Sequence, residues 1–170
     1  MSRTIYLLTV LAALGSAIVG GAMYAFSSFV MSGLDRATPS QIIRPPTDPH
    51  IAITAMNGIN VTAVRAPFMI PFVGAALLSA VLVVVGLVRW GRPGSVWLIV
   101  GGLVYVLGTF VLTMAYNVPR NDALALVDPA SAEAAARWAT YLREWTIANH
   151  VRTVASLAAA AAFVAALVRA

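Results

Sequence analysis

The stretch WTIANHVRTVASLAAAAAFVAALVRA (residues 145–170) joins two dissimilar kinds of sequence. From Val154 onward it is apolar and has the composition of the end of a membrane helix. The nine residues before Val154 nevertheless include Asn149, His150 and Arg152. Charged and amide side chains are costly at membrane depth unless they face the interior of a bundle and find partners there. We therefore expect other parts of the chain to supply both the bundle and the partners.

The composition places the chain among integral membrane proteins. Of its 170 residues 61% are hydrophobic and 10% are charged, whereas a soluble domain has about 25% charged residues. All 11 basic residues are Arg, many of them near the ends of apolar stretches, where Arg anchors to lipid headgroups. The formal net charge of +5 therefore does not indicate a nucleic-acid partner. Because Cys is absent, disulfides, a thiolate nucleophile and thiolate metal ligands are excluded.

Four apolar stretches predict four membrane-spanning helices, at about 5–34, 66–88, 95–116 and 146–168. A helix needs about 20 apolar residues to cross the hydrocarbon core of a bilayer. The last stretch is short, but a strongly helix-forming sequence precedes it. We therefore predict one long helix from about Pro129 to the C-terminus, with Asp128 as its N-cap.

The connections between the spans are unequal, and they define two ends of the bundle. RWGRPG (89–94) is a tight turn on the side of both termini. The long connections, 35–65 and 117–145, share the opposite side. Within the first of them, IRPPTDP (43–49) is predicted to be extended and residues 50–65 to form a short helix on the bundle.

The predicted fold is an all-α, polytopic membrane four-helix bundle, and residues 1–170 form a single membrane domain. A short amphipathic helix precedes the second span, and the fourth helix has a long extramembrane extension. The long-connection side has seven Arg against four on the other side, so the Arg count alone would place the long connections in the cytoplasm. Because Asp35 partly offsets Arg36 and the N-terminal amine adds to Arg3, we instead expect termini in the cytoplasm, in a plasma or inner membrane, with the long loops on the opposite side.

The fourth helix is polar on one side. On a helical wheel Arg152, Trp145 and Thr153 lie within about 60° of Asn149, and His150 lies about 100° away. The opposite side carries apolar residues that suit lipid. The polar set is therefore predicted to point into the bundle.

Amide side chains from other segments are predicted at the same depth. Pro119 is expected to end the third span, which leaves Asn117 and Asn121 at the long-connection end of the bundle. In the segment before the second span, Met56 and Asn60 share a helix face. Several Asn together with a His and an Arg favour a functional site over isolated structural polar residues.

Structural roles remain open for individual members of this set. Tyr24 and Tyr116 are typical of buried hydroxyls or interface aromatics, and Trp145 suits an aromatic belt at the membrane interface. Arg152 could form an ion pair with Asp122 or Glu144.

Four segments of the chain together resemble the anthrone oxygenase-like membrane family. They are YAFSSFVMSGL (24–34), AMNGIN (55–60), YNVPRNDALA (116–125) and WTIANHVRT (145–153). The resemblance covers nearly the whole chain and implies a four-helix membrane fold. From some relatives it implies oxidation of polyketide anthrones to anthraquinones without an added cofactor. Asn57 departs from the family pattern, which often has Gln at that position.

This resemblance implies a reaction in which a small aromatic, anthrone- or hydroquinone-like substrate is oxidised by molecular oxygen. Removal of an acidic proton gives an electron-rich anion that reacts with oxygen directly. His150 is the candidate base, and Arg152, Asn149 and Asn117 are the candidates to stabilise the oxyanion. The candidate substrate-binding residues are Asn117, Asn121, Asn60, Tyr24, Trp145 and Tyr116.

Two other functions remain open. His50 and His150 are predicted on the same side of the membrane and could together bind haem iron or copper. The other is a non-enzymatic membrane carrier or scaffold for an apolar ligand. The predicted partners are the lipid bilayer and a small apolar aromatic ligand, and no cofactor is expected. A homo-oligomer is possible, and the sequence does not determine the oligomeric state.

Overall fold

The computed structural model describes residues 1–36 and 49–169. Within them the chain forms helices and no strand, which confirms the predicted all-α class. The helices are α1 (Arg3–Arg36), α2 (Pro49–Ala63), α3 (Ala66–Val88), α4 (Ser95–Ala125) and α5 (Ala134–Val168). The segment predicted to be extended, 43–49, lies outside the described residues except for Pro49, which begins α2.

Four of these helices, α1, α3, α4 and α5, are long and apolar enough to cross a membrane. Large apolar side chains, among them Leu14, Ile18, Leu77 and Val84, are exposed on their outer faces. An outer surface of this kind is stable against hydrocarbon and not against water. The chain is therefore an integral membrane protein.

Small residues set the distance between the long helices. The bundle closes because α1 packs on α3 and α5, and α4 packs on the same two helices. A Cβ atom added at Gly102 of α4 would lie 2.6 Å from the carbonyl oxygen of Ser79 in α3. One added at Gly108 would lie 2.7 Å from Cβ of Ala155 in α5. Glycine thus lets these backbones approach to a distance that no larger residue permits.

The connection between α3 and α4 is the tight turn expected at residues 89–94. Gly91 and Gly94 have φ angles of 82° and 80°, in the left-handed region that favours glycine. The Ser95 hydroxyl donates to the carbonyl oxygen of Arg89 over 2.7 Å and ties the two ends of the turn together.

α4 does not end near Tyr116, and the expectation that Pro119 terminates it is wrong. The helix continues to Ala125 through two π-helical segments, Val106–Val111 and Thr113–Asn117. Pro119 lies in the first turn of the α-helical section that follows. Its ring would clash with the carbonyl group four residues earlier in a regular α-helix. The wider π-helical turn at that point accommodates the ring and lets the helix continue.

α5 begins at Ala134, five residues after the predicted start at Pro129. Asp128 is not its N-cap. The Asp128 carboxylate instead accepts a hydrogen bond from the Ala130 backbone N–H over 3.0 Å. The Asp128 carbonyl accepts one from the Ser131 N–H. Asp128 therefore closes a local turn, a common use of Asp before a helix.

Two apolar clusters form the interior of the bundle. The glycine-side cluster lies where the four long helices pack together and includes Val19, Leu82, Leu98, Tyr105 and Phe163. The connection-side cluster joins α2 to the ends of α1 and α4 and to the start of α5, and includes Met31, Ile53, Met56, Trp138 and Trp145. Because only 6% of Trp145 is exposed, the aromatic-belt interpretation of this residue is wrong.

Candidate functional site

A cavity of about 310 Å³ lies where the two clusters meet. Its apolar lining comes from both of them, with Met23 and Phe72 from the glycine-side cluster and Met56 and Trp145 from the connection-side cluster. Five polar side chains complete the lining: Asn60, Thr113, Asn121, Asn149 and Arg152. The volume is at the lower end of the range for small-molecule sites, and the combination of a largely apolar wall with a few polar groups is typical of them.

Asn149 of α5 is fully buried and joins α5 to α1. Its amide Nδ2 donates to the Met23 carbonyl oxygen over 2.7 Å and to the Ser27 hydroxyl over 2.8 Å. These acceptors lie at the point where α1 changes to its π-helical segment, Phe26–Val30. Since both amide hydrogens are used in this way, Oδ1 of Asn149 is oriented to accept from a third group.

That third group is the Arg152 guanidinium, whose Nη2 donates to Asn149 Oδ1 over 2.8 Å. Its Nη1 donates to the Thr113 hydroxyl of α4 over 3.2 Å. The guanidinium carbon also lies 4.9 Å from the centre of the Trp145 ring, within the range of a cation–π interaction. Arg152 is thus held by three side chains, two on its own helix α5 and one on α4, although only 5% of it is exposed.

No carboxylate balances this buried charge within residues 1–36 and 49–169. Glu144, one of the two predicted partners, instead pairs with Arg120 over 2.9 Å, and Asp122, the other, is exposed. Of the structural roles considered for Arg152, an ion pair with either residue is therefore not formed. A buried cation held only by neutral acceptors and a ring face retains the capacity to bind an anion.

The model of the anthrone oxygenase family matches residues 63–162. The chain belongs to this family. The match covers α3, α4 and most of α5, and so includes Thr113, Trp145, Asn149 and Arg152. No curated protein and no solved structure matches the chain.

In this family member the structure brings together five of the residues proposed from sequence. Asn60, Asn121, Trp145, Asn149 and Arg152 all line the cavity. Asn121 Oδ1 accepts a hydrogen bond of 2.9 Å from the hydroxyl of Tyr141, which fixes the orientation of its amide.

Three other proposed residues do not line the cavity. Asn117 is buried beside it and donates to the Trp145 carbonyl oxygen over 3.3 Å. Tyr24 is 59% exposed, on the outside of α1. The Tyr116 ring faces Arg120, whose guanidinium carbon lies 3.3 Å from the ring centre. The expected contacts of Tyr24 and Tyr116 with a ligand in this cavity therefore have no support.

His150 is also absent from the cavity lining, and its side chain is exposed. The prediction that it points into the bundle is wrong, because the buried arc of α5 covers Trp145, Asn149, Arg152 and Thr153 but does not extend the further 60° or so to His150. His50 is exposed too, at the start of α2. In the described part of the chain, no three His, Cys, Asp or Glu side chains lie close enough together to hold a metal ion.

Thr113, which holds Arg152 from α4, is a site residue that was not predicted from the sequence. The signal was a hydroxyl residue in an apolar span, four residues before Asn117. The aromatic wall of the cavity was not predicted either, since the sequence does not distinguish Phe26, Phe68 and Phe72 from the other apolar residues near the spans.

Proposed function

We propose that the chain binds a small aromatic, anthrone-like substrate in the cavity and promotes its oxidation by molecular oxygen. The observation that carries the proposal is Arg152, a buried cation on an apolar cavity wall with no carboxylate partner among the described residues. Phe26, Phe68 and Phe72 supply faces and edges for an aromatic ligand. Membership of the anthrone oxygenase family supports this class of reaction.

The chemistry starts with loss of a proton from the methylene group opposite the substrate carbonyl. The negative charge that develops on the carbonyl oxygen is the charge for which Arg152 is positioned. Because Asn149 and Thr113 already fix the guanidinium, its donors need no reorganisation as this charge forms. Stabilisation of the enolate lowers the pKa of the substrate methylene, so that water can accept the proton.

The remaining steps consume oxygen and need no other oxidant. The enolate carbon and oxygen form a peroxide anion, which takes up the proton lost in the first step and becomes a hydroperoxide. Loss of the second methylene proton then cleaves the O–O bond and leaves a carbonyl group, and the released hydroxide combines with that proton to form water. One anthrone and one oxygen thus give one anthraquinone and one water. The apolar cavity favours both reactants, since it takes up oxygen and the aromatic rings of the substrate.

The test is oxygen uptake by the protein in lipid nanodiscs with anthrone as substrate, monitored together with the visible absorbance of the quinone. We expect a rate well above that of empty nanodiscs, one oxygen consumed per quinone formed, and no hydrogen peroxide. A rate equal to that of empty nanodiscs would contradict the proposal. If anthrone then still bound to the protein, the carrier alternative would be favoured, since the same cavity serves both functions.

A further inference from the structure

The cavity reaches the surface of the bundle at one corner. Six of its lining residues are buried, namely Met23, Met56, Phe72, Trp145, Asn149 and Arg152. Val64, which lies between the end of α2 and the start of α3, also lines the cavity and is 70% exposed. In the described part of the chain no other lining residue is exposed. The α2–α3 corner, residues 63–69, therefore contains an opening of the cavity.

The surface around this corner suits the edge of the hydrocarbon layer. Val61 of α2 and Ile70 of α3 are exposed apolar residues on either side of Val64. Arg65 is exposed directly after Val64, and the apolar span of α3 begins at Pro67. Because an Arg at the end of a span reaches the lipid headgroups, the opening lies where the headgroups meet the acyl chains.

The cavity lining at the corner has no polar side chain. It consists of Ala63, Val64, Phe68 and Met69. An uncharged aromatic molecule that is dissolved in the bilayer can pass such side chains without losing hydrogen bonds. A molecule with a permanent charge would lose its hydration there, which is costly.

The cavity is separated from the water-filled side of the long connections by Tyr141. A surface groove of about 730 Å³ between the end of α4 and the start of α5 is lined by Tyr141, which is buried. The Tyr141 hydroxyl donates over 2.9 Å to Asn121, which lines the cavity. The Tyr141 ring also stacks on the rings of Trp138 and Trp145, with centroids 5.8 Å and 6.2 Å away. Tyr141 therefore forms a wall between the groove and the cavity, whereas the α2–α3 corner has no such wall.

We propose that the substrate enters the cavity from the bilayer through the α2–α3 corner, and that Val64 limits the width of this entrance. The preferred substrate is then an uncharged aromatic molecule dissolved in lipid, and the product returns to the lipid by the same route. Val64 selects substrates by access and not by contacts in the bound state. This inference rests on the proposed function for the identity of the substrate alone.

The chain offers a matched control for Val64. Ile70 is 71% exposed, as Val64 is at 70%, but it does not line the cavity. Because the native chain has no Cys, a single Cys at either position is a unique attachment point. The variants Val64→Cys and Ile70→Cys are each modified with methyl methanethiosulfonate, which adds a small group, or with benzyl methanethiosulfonate, which adds a bulky one.

The experiment measures the rates at which anthrone associates with and dissociates from each modified protein in nanodiscs without oxygen. Trp145 lines the cavity, so quenching of tryptophan fluorescence in a stopped-flow instrument reports binding. On Val64→Cys we expect the benzyl group to lower both rates about tenfold relative to the methyl group, with Kd unchanged within about twofold, since an obstructed entrance slows entry and exit alike. On Ile70→Cys the two groups should give equal rates.

A second measurement tests which medium the entrance faces. A nitroxide spin label on Val64→Cys should collide more often with oxygen, which concentrates in hydrocarbon, than with a water-soluble nickel chelate. A label on Ile70→Cys should show the same order. A label on Leu126→Cys should show the opposite order, because Leu126 is exposed in the connection between α4 and α5.

Three results would overturn the entrance. The first is equal association rates for the methyl and benzyl forms of Val64→Cys, and the second is more frequent collision of the label at position 64 with the nickel chelate. The third is a change in the dissociation rate alone, which would make Val64 a contact of the bound ligand. If a Cys variant does not fold, Val64→Phe and Ile70→Phe provide the same comparison without a label.

Admission of oxygen to the same samples distinguishes this inference from the proposed function. Oxygen uptake by the native chain, with binding rates that do not depend on the group at position 64, would support the reaction and refute the entrance. Binding rates that depend on this group, without oxygen uptake, would support the entrance and refute the reaction. Failure of the native chain to bind anthrone would refute both.

Discussion

Replacement of Arg152 by Met separates a catalytic role of the guanidinium from a structural one. Met has a similar length and no charge, and it suits the apolar side chains around the cavity. The two hydrogen bonds of Arg152 to Asn149 and Thr113 contribute about 1.5–3 kcal/mol each, as bonds to a charged group. This stabilisation of roughly 3–6 kcal/mol is opposed by the penalty of several kcal/mol for burying an ion without a counter-charge. We therefore expect the free energy of unfolding to change by less than about 2 kcal/mol.

The effect on the reaction should be much larger than the effect on stability. Removal of a preorganised donor from a developing oxyanion lowers kcat by about 10²–10³, which corresponds to about 2.7–4 kcal/mol. The assay is initial oxygen uptake with anthrone at saturation, next to a melting curve of the same sample. Arg143→Met is the matched control, since Arg143 lies on the same helix and is exposed. We expect that control to retain its kcat within about twofold of the native chain.

Two results would refute this reasoning. If Arg152→Met kept the native kcat, the buried cation would have no part in the reaction. If instead kcat fell only in proportion to the loss of folded protein, the guanidinium would be a structural group. The conservative variant Arg152→Lys adds a further distinction. It keeps the charge but lacks the planar fork that reaches Asn149 and Thr113 together, so we expect kcat between the values of the native chain and Arg152→Met.

Two further predictions concern positions away from the guanidinium. His150→Ala should keep oxygen uptake within about twofold of the native rate, because the imidazole is exposed and absent from the cavity lining. Loss of a general base typically lowers the rate by about 10²-fold or more. A fall of that size would show that His150 reaches the substrate. Gly102→Ala should lower the free energy of unfolding by about 1–3 kcal/mol through overpacking, since its Cβ atom would lie 2.6 Å from a backbone oxygen of α3. In the control Gly74→Ala the Cβ atom would meet nothing within 4 Å, so denaturant or thermal unfolding should show no destabilisation. An equal loss of unfolding free energy in both variants would show that the α3–α4 contact is not tight.

The sequence predicted the architecture well because lipid restricts a spanning chain to helices and each span must be long and apolar. The buried side of α5 was also readable, since Asn149, Arg152 and Thr153 recur with helical spacing opposite an apolar side. His150 lies beyond the edge of that side. Whether such a position is buried depends on how far the neighbouring helices wrap around α5, and the sequence of α5 contains no information about this.

The course of α4 could not be predicted for a different reason. Pro119 is an ordinary signal for the end of a helix, and the rule fails here because the preceding turn is π-helical. No single residue of the sequence predicts that π-helical turn. Around it, the Thr113 hydroxyl donates to the Thr109 carbonyl oxygen over 2.6 Å, and the Thr109 hydroxyl lies 2.9 Å from that of Ser156. The local backbone is thus supported by contacts with another helix, which only the folded chain brings together.

The place of the cavity follows from a change in packing along the bundle. Where glycines face neighbouring helices, as at Gly102 and Gly108, backbones meet closely and no room remains for a ligand. α4 is already π-helical at Gly108, within Val106–Val111. Beyond the glycine contacts both α1 and α4 have π-helical turns, at Phe26–Val30 and Thr113–Asn117, which displace the following residues from the regular helical register.

Each of these two segments contributes one cavity residue, Phe26 and Thr113. Polar groups are tolerated at this junction because hydrogen bonds join them into a chain. It runs from the Met23 carbonyl to Asn149, from Asn149 to Arg152 and from Arg152 to Thr113. The π-helical turn of α4 thus also supplies Thr113, which fixes the guanidinium together with Asn149 of α5. The cavity wall and the hydrogen bonds of its cation therefore share this irregular segment of α4.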